Sequence, residues 1–282
     1  MLMHSAKVSG IVIFGAKGFL GSEILKFYPG SAAPSCDIAD PEAVREVLDS
    51  EKPSVVINAA GKTGRPNIDW CEEHKEETLR ANVTGPLILL EECLKRGIRL
   101  VHLGTGCIYD GPPERIFTEE DPPNFFGSFY SLTKATSDML LARFPVLQLR
   151  IRMPLDGTTN PRTLVMKLKK YRRLLDHPNS VTYLPDFFSA LRTLIGRKAT
   201  GIYNVVNPGT LSPYKVMCRY REVVDSSVQF ERLTLDDLPT VVRAARSNCT
   251  LSCEKLKKEG IVLRPIEEAL EEALSKIKAQ GK

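Results

Sequence analysis

Residues 9–28, SGIVIFGAKGFLGSEILKFY, restrict the fold more than any other stretch. SGIVIF (9–14) is a short apolar run rich in β-formers, GAKGFLG is a glycine-rich turn, and SEILKFY is amphipathic. The order predicted is strand, tight turn, helix. Gly15, Gly18 and Gly21 set out G-x-x-G-x-x-G at that turn.

The pattern then repeats. PEAVREVLDS (41–50) reads as a helix with Pro41 at its first position and Asp40 as cap. PSVVINAAG (53–61) is a second buried strand, and TLRANVTGPLILLEECLKRG (78–97) a long helix stopped by Gly97. RLVHLGTG (99–106) is a strand, GSFYSLTKATSDMLLARF (127–144) a helix, and VLQLRIRMP (146–154) a strand stopped by Pro154. Strands apolar throughout, alternating with helices, imply a parallel sheet covered on both faces. The fold expected is α/β, a Rossmann-type doubly wound parallel sheet with a smaller C-terminal substrate lobe. Residues 1–154 are expected to form the NADP-binding domain. Residues 155–282, punctuated by prolines, form mainly the substrate lobe, with some return of the chain to the sheet.

Composition narrows the function classes. A chain of 282 residues, 43% hydrophobic and 26% charged, can bury a full core in one or two domains. The net charge of +5 is spread, with no block of five or six like charges. That suits a solvated, mildly basic surface, or a pocket for a phosphate-bearing ligand. No basic stripe with interleaved aromatics suggests a nucleic-acid partner. No apolar run approaches 18 residues and no signal peptide is read, so a cytoplasmic protein without a membrane partner is expected. The seven cysteines include no C-x-x-C pair, and Cys249 and Cys253 lack His or Cys partners nearby. Reduced thiols and no metal site are expected.

The glycines suit a phosphate. The turn must be tight, the backbone must approach a pyrophosphate, and the helix must pack near the strand. Gly15, Ala16, Lys17, Gly18, Phe19 and Leu20 are therefore assigned to the cofactor, with Ala59, Ala60 and Gly61 closing the second strand. In PGSAAPSCDIAD no clear strand precedes Asp37, and no arginine presents itself for a 2′-phosphate. Asp37 and Ile38 suit the adenine better than the ribose. Lys17 lies inside the loop, where a cation could meet the extra phosphate. NADPH is favoured as cofactor, with NADH as the alternative.

Tyr130 and Lys134 stand four apart in FYSLTKA and share one helix face. An ammonium beside a phenol stabilises the phenolate, which suits Tyr130 to exchange a proton near neutral pH. Thr105, just past its strand, can donate to the same substrate oxygen. Asn82 could anchor a water relay to Lys134. Pro154, past the strand end, is expected to help position the nicotinamide. His102 reads as packed in its strand, His177 as a loop residue and Trp70 as core.

GAKGFLG, NAAG, Asn82, Thr105 and YSLTK resemble the extended short-chain dehydrogenase/reductase superfamily. NAAGKTGRPNIDWCEEHKEETLRANVTG, GTGCIYD, EEDPPNFFGSFYSLTKA, LRIRMP, TNPRTLVMK, HPNSVT, GIYNVVNPG and RSNCTL resemble more closely the nucleotide-rhamnose synthase epimerase/reductases, relatives of the dTDP-4-dehydrorhamnose reductases. The resemblance covers roughly residues 9–260, and the GRPNIDWCE block is its most specific part. It implies two activities: epimerisation of UDP-4-keto-6-deoxy-glucose at C3 and C5, then NADPH-dependent reduction of the 4-keto group to UDP-β-L-rhamnose. It implies Thr105, Tyr130 and Lys134 for reduction, with Cys107 and Lys167 as the acid/base pair of epimerisation. A separate 4,6-dehydratase would supply the keto sugar. A homodimer is expected.

For the UDP-sugar substrate the further candidates are Arg65 and Asn67 in the GRPN loop, then Arg162, Arg246 and Asn248. An arginine fork suits a diphosphate because it donates two parallel hydrogen bonds. Two alternatives stand beside the bifunctional reading: a reductase acting only on an already epimerised keto sugar, and a non-catalytic nucleotide-binding regulatory subunit.

Overall fold

A computed structural model describes residues 10–281. The first nine residues and Lys282, which the expected domains include, lie outside the described residues.

Strand β1 (Ile11–Phe14) is buried at every position, as a strand covered on both faces must be. Helix α1 (Phe19–Phe27) follows the glycine turn. Helix α2 (Pro41–Glu51) starts at Asp40, whose Oδ1 accepts the N–H groups of Glu42 and Ala43 at 3.0 and 3.2 Å. After β2 (Val55–Asn58) come the short helices α3 (Trp70–Glu73) and α4 (Lys75–Leu79). The helix expected over 78–97 is interrupted by a π-helical turn at Arg80–Thr84, then continues as α5 (Gly85–Arg96). Gly97 ends it at φ 64°, a conformation that costs glycine little.

Next come β3 (Arg99–Thr105), β4 (Ile116–Phe117), α6 (Phe129–Leu141) and β5 (Leu147–Ile151). The second half carries α7 (Leu164–Leu168), β6 (Arg173–Leu175), α8 (Leu184–Gly196), β7 (Gly201–Asn204) and α9 (Pro213–Val223). It closes with β8 (Glu231–Leu233), β9 (Thr250–Leu251), α10 (Glu254–Lys258) and α11 (Ile266–Gln280).

The central sheet has the order β1-β2-β3-β5-β7. β2 pairs in parallel with β1, Ile57 opposite Ile13, and with β3, Ile57 opposite Val101. On the far edge of β1, Ala32 makes one parallel bridge with Val12. Ile13 N–H donates to Ala32 at 2.8 Å, and Ala32 N–H returns a bond to Ile11 at 3.0 Å. This single rung stands where no second strand was legible in the sequence.

The chain divides into two compact units. The first runs to Gly104 and adds Ser128–Leu149 and Ala199–Ile202; the second takes Thr105–Gly127, Arg150–Lys198 and the chain from Tyr203. The chain passes between the units more than once: β3, β5 and β7 each begin in the first unit and end in the second. Each unit has its own core. In the first it gathers Val12, Phe14, Val44, Leu48, Val56 and Leu89. In the second it gathers Leu155, Val181, Tyr183, Val216, Leu270 and Leu274. Among the described residues no helix is long and apolar enough to cross a membrane.

Candidate active site

The glycine loop has the shape a pyrophosphate needs. Gly15 sits at φ 79°, and a Cβ on it would lie 2.4 Å from the Ala60 nitrogen. A Cβ on Gly21 would lie 2.2 Å from the Gly15 oxygen, so α1 can pack here only on glycine. No side chain caps the start of α1. No side-chain cap therefore occupies its first N–H groups, which is what binding of an anion there would require. Lys17 Nζ donates to Ser35 Oγ at 2.5 Å, which places a cation and a hydroxyl together. Asp37 accepts from Ala39 N–H at 2.9 Å and pairs with Arg80 at 3.1 Å. The Ala39 N–H, then Arg80, hold its carboxyl below the usual range. Ile38 is buried against Gly85, where a Cβ would meet it at 2.4 Å.

The NAAG segment is fixed by its own asparagine: Asn58 Oδ1 accepts from Ala60 N–H at 3.0 Å. Ala59 and Ala60 are half-buried and Gly61 exposed. Asn82 sits in the π-helical turn. It accepts from Lys62 N–H at 2.8 Å, and donates to Lys62 O at 3.0 Å and Thr133 Oγ1 at 3.2 Å. It ties the strand-following loop to α6 one residue before Lys134.

Tyr130 and Lys134 lie on α6, both buried. Lys134 Nζ donates to Leu103 O at 3.1 Å and lies 3.2 Å from His102 Nε2. The α6 start is held twice. Ser128 Oγ accepts from Ser131 N–H at 3.1 Å, and the Glu72 carboxylate accepts from Phe129 N–H at 2.7 Å. The WCEE segment thus contributes a helix anchor. Arg65 is exposed, and Asn67 Oδ1 accepts from Asp69 N–H at 2.8 Å within its own loop.

In the second unit, Cys107 N–H donates to Thr105 Oγ1 at 3.1 Å. Thr105 is buried and Cys107 half-buried. Arg152 Nη1 donates to Cys107 Sγ at 2.7 Å, and its Nη2 to Asn179 Oδ1 at 2.6 Å. Asn179 Nδ2 donates to Asn248 Oδ1 at 3.0 Å, and Asn248 N–H to Asp110 Oδ1 at 2.7 Å. Asn248 and Arg246 line a pocket of about 810 Å3 with Arg243, His177 and the apolar Leu235 and Val242.

Pro154, half-buried, accepts from Leu164 N–H at 3.3 Å, tying the chain after β5 to α7. Lys167 stands on α7, and Arg162 N–H donates to Asn160 Oδ1 at 3.0 Å just before it. The Lys167 side chain is exposed overall, yet the chain around its ammonium lowers its pKa, and Arg162 and Lys170 add like charge.

The sequence reading missed His102 as a partner of Lys134, along with Ser35, Glu72, Arg152, Arg243 and His177. For Arg152 a signal existed. Arg150 and Arg152 alternate in LRIRMP, and charges in an apolar strand are buried only for a reason.

The profile described as "RmlD substrate binding domain" matches residues 9–279. The chain is 40% identical to a bifunctional dTDP-4-dehydrorhamnose 3,5-epimerase/dTDP-4-dehydrorhamnose reductase of Arabidopsis thaliana, over 94% of this chain and 92% of that protein. It is 40% identical to a trifunctional UDP-glucose 4,6-dehydratase/UDP-4-keto-6-deoxy-D-glucose 3,5-epimerase/UDP-4-keto-L-rhamnose-reductase of the same plant, over 83% of this chain but only 36% of that longer protein. The crystal structure of a UDP-rhamnose synthase from Acanthamoeba polyphaga mimivirus superposes with a TM-score of 0.89 at 34% identity, covering 95% of this chain and 99% of that one. The chain therefore belongs to the RmlD substrate-binding-domain family, among sugar-nucleotide reductase and epimerase enzymes.

Proposed function

We propose that the chain converts UDP-4-dehydro-6-deoxy-D-glucose to UDP-β-L-rhamnose, by epimerisation at C3 and C5 and NADPH-dependent reduction at C4. The observation that carries this reading is the bond from Cys107 N–H to Thr105 Oγ1. It uses a lone pair of the threonine oxygen, leaves its O–H able to donate, and fixes the backbone of Cys107 two residues beyond that donor.

C3 and C5 both flank the C4 carbonyl, which acidifies their protons. When one is removed, the electron pair moves onto the C4 oxygen. Thr105 and Tyr130 are assigned to donate to that oxygen and stabilise its charge. Inversion needs a group taking the proton from one face of the carbon and another returning a proton to the opposite face. Cys107 and Lys167 are the pair assigned, since thiol and ammonium both exchange protons when their surroundings permit. No net oxidation accompanies this stage.

The Gly15–Gly21 cradle fits a dinucleotide, and Lys17 with Ser35 fits a 2′-phosphate. When bound, NADPH supplies the hydride that reduces C4. Tyr130 gives its phenolic proton to the C4 oxygen, and Lys134 stabilises the phenolate left behind. The pocket lined by Arg243, Arg246 and Asn248 is assigned to the nucleotide, with guanidinium forks for the diphosphate and Leu235 and Val242 beside the base. The dehydratase named in the longer plant relative is the class of enzyme that would supply the keto sugar.

The test is one NMR experiment in heavy water with NADPH and the UDP-keto sugar, and a parallel arm with the dTDP-keto sugar. The expected product is rhamnose-configured and carries deuterium at C3 and C5. Absence of NADPH consumption in both arms refutes the reading, and reduction without deuterium assigns a reductase alone.

A further inference from the structure

We propose that Arg152 is the positioning residue of the epimerisation step: it holds the Cys107 sulfur as a hydrogen-bond acceptor beside a fixed positive charge, and so makes Cys107 the group that takes the proton from carbon. The proposal rests on the reading of Cys107 given above.

The guanidinium is buried, and its direction is set at both ends. Backbone N–H of Arg152 donates to Thr182 Oγ1 at 3.0 Å, and that hydroxyl donates to Val205 O at 2.6 Å. Nη2 is shared between Asn179 Oδ1 and the Ser247 carbonyl. Asn179 is itself held by donating to His177 O and to Asn248 Oδ1. With those atoms fixed, Nη1 has one bearing, and it meets Cys107 Sγ at 2.7 Å. A guanidinium donates and never accepts, and keeps its charge at any working pH. The sulfur must therefore present a lone pair to it. The thiol proton, when present, points elsewhere, and the guanidinium charge stands directly beside the sulfur.

A second thiol shares the neighbourhood and shows the contrast. Cys249 Sγ donates to Gly106 O at 3.2 Å, so its proton is engaged. Burial pushes its pKa up, with Arg152 opposing the rise. Of the two sulfurs, Cys107 is the one that receives the guanidinium N–H.

Within the reaction, the thiol proton first passes to water, and the electron pair it leaves on Cys107 takes the proton from the carbon beside the carbonyl. The carbon's bonding pair passes to the C4 oxygen, and the sulfur becomes a neutral thiol. A proton returned from the opposite face, by Lys167, completes the inversion.

The experiment measures three quantities on the full chain: deuterium exchange at C3 and C5, reduction of an already epimerised keto sugar, and alkylation of each cysteine by iodoacetamide, followed by peptide mass. In the wild type, Cys107 is expected to alkylate roughly tenfold faster than the half-buried Cys36, Cys218 and Cys253, which serve as internal standards. Arg152→Met is expected to slow exchange about 100-fold, at least tenfold more than it slows reduction, and to slow Cys107 alkylation roughly tenfold. Arg152→Lys, which keeps a cation, should recover part of both. Exchange in Arg152→Met within about threefold of wild type, with Cys107→Ala inactive in exchange, overturns the proposal and leaves the reading of Cys107 standing. Full exchange by Cys107→Ala overturns that reading and the proposal with it. If Arg152→Met does not fold, wild-type alkylation of Cys107 no faster than the standards is sufficient to overturn it.

Discussion

Nζ of Lys134 lies 3.2 Å from Nε2 of His102, an imidazole wholly enclosed between α6 and the end of β2. Asn58 Nδ2 meets the other ring nitrogen at 3.1 Å. Burial, then the Lys134 charge, pushes the His102 pKa well below its ordinary value. The folded chain keeps the ring neutral, while the unfolded chain takes up a proton near pH 6.5. This contribution to stability is complete above that pH and is lost as pH falls below it, at up to ~1.4 kcal/mol per pH unit. Urea unfolding at several pH values between 7 and 5 should show the decline. His102→Gln should flatten it, and an unchanged slope in the variant would refute the account.

Replacing Tyr130 with Phe removes the proton given to the C4 oxygen and leaves the ring's packing. NADPH-dependent turnover should fall about 100- to 10,000-fold. Lys134→Met should fall comparably, because the phenolate then lacks its cation. Fluorescence titration should show that both variants still bind NADPH. Normal turnover by Tyr130→Phe would remove it from the reaction.

Lys17→Ala should raise KM for NADPH about tenfold, the loss of one charge-assisted bond, while KM for NADH stays level. The ratio of the two constants is the measurement. An equal rise for both cofactors would place Lys17 at the pyrophosphate instead.

Arg246 lines the second unit's pocket and donates to Ala244 O at 2.8 Å. Arg246→Ala should raise KM for the sugar nucleotide about tenfold or more with little change in kcat, because the diphosphate is bound alike in ground and transition states. A fall in kcat at constant KM would contradict that role.

Glu72→Gln weakens the anchor at the start of α6, where a full negative charge accepts from Phe129 N–H. Thermal unfolding should show a loss of about 1 kcal/mol, and the cap at Ser128 should keep the helix in place.

Much of the frame was legible because its signals are local. Asp40 before Pro41, Gly97 after Arg96, and the glycines between β1 and α1 each act within a few residues. The resemblance to epimerase/reductases, carried by longer motifs, is matched by the plant relative. The rest depends on pairings across long stretches. His102 meets Lys134 32 residues on, Arg152 meets Cys107 from 45 residues away, and Glu72 reaches Phe129 over 57. Periodicity marked His102 as a packed strand residue, and it is one; the strand's register decides what it packs against. Two parts were expected, but the points at which the chain passes from one unit to the other were not legible, for a similar reason. An apolar strand reads the same whether or not its two ends belong to one unit, and β3, β5 and β7 each straddle two.

The π-helical turn at Arg80–Thr84 sets a rule for how this region can vary. Such a turn is an α-helix carrying one surplus residue, and each residue of a helix advances it by about 100°. The wide turn absorbs that residue, so the helical segments on either side keep their facing; a substitution here alters a side chain, whereas a single deletion restores regular winding and removes the bulge in which Asn82 stands. Asn82, which bonds both Lys62 and Thr133 from within that wide turn, would lose the backbone position that serves them. The segment's length, more than its letters, is what a lineage of such chains would have to preserve.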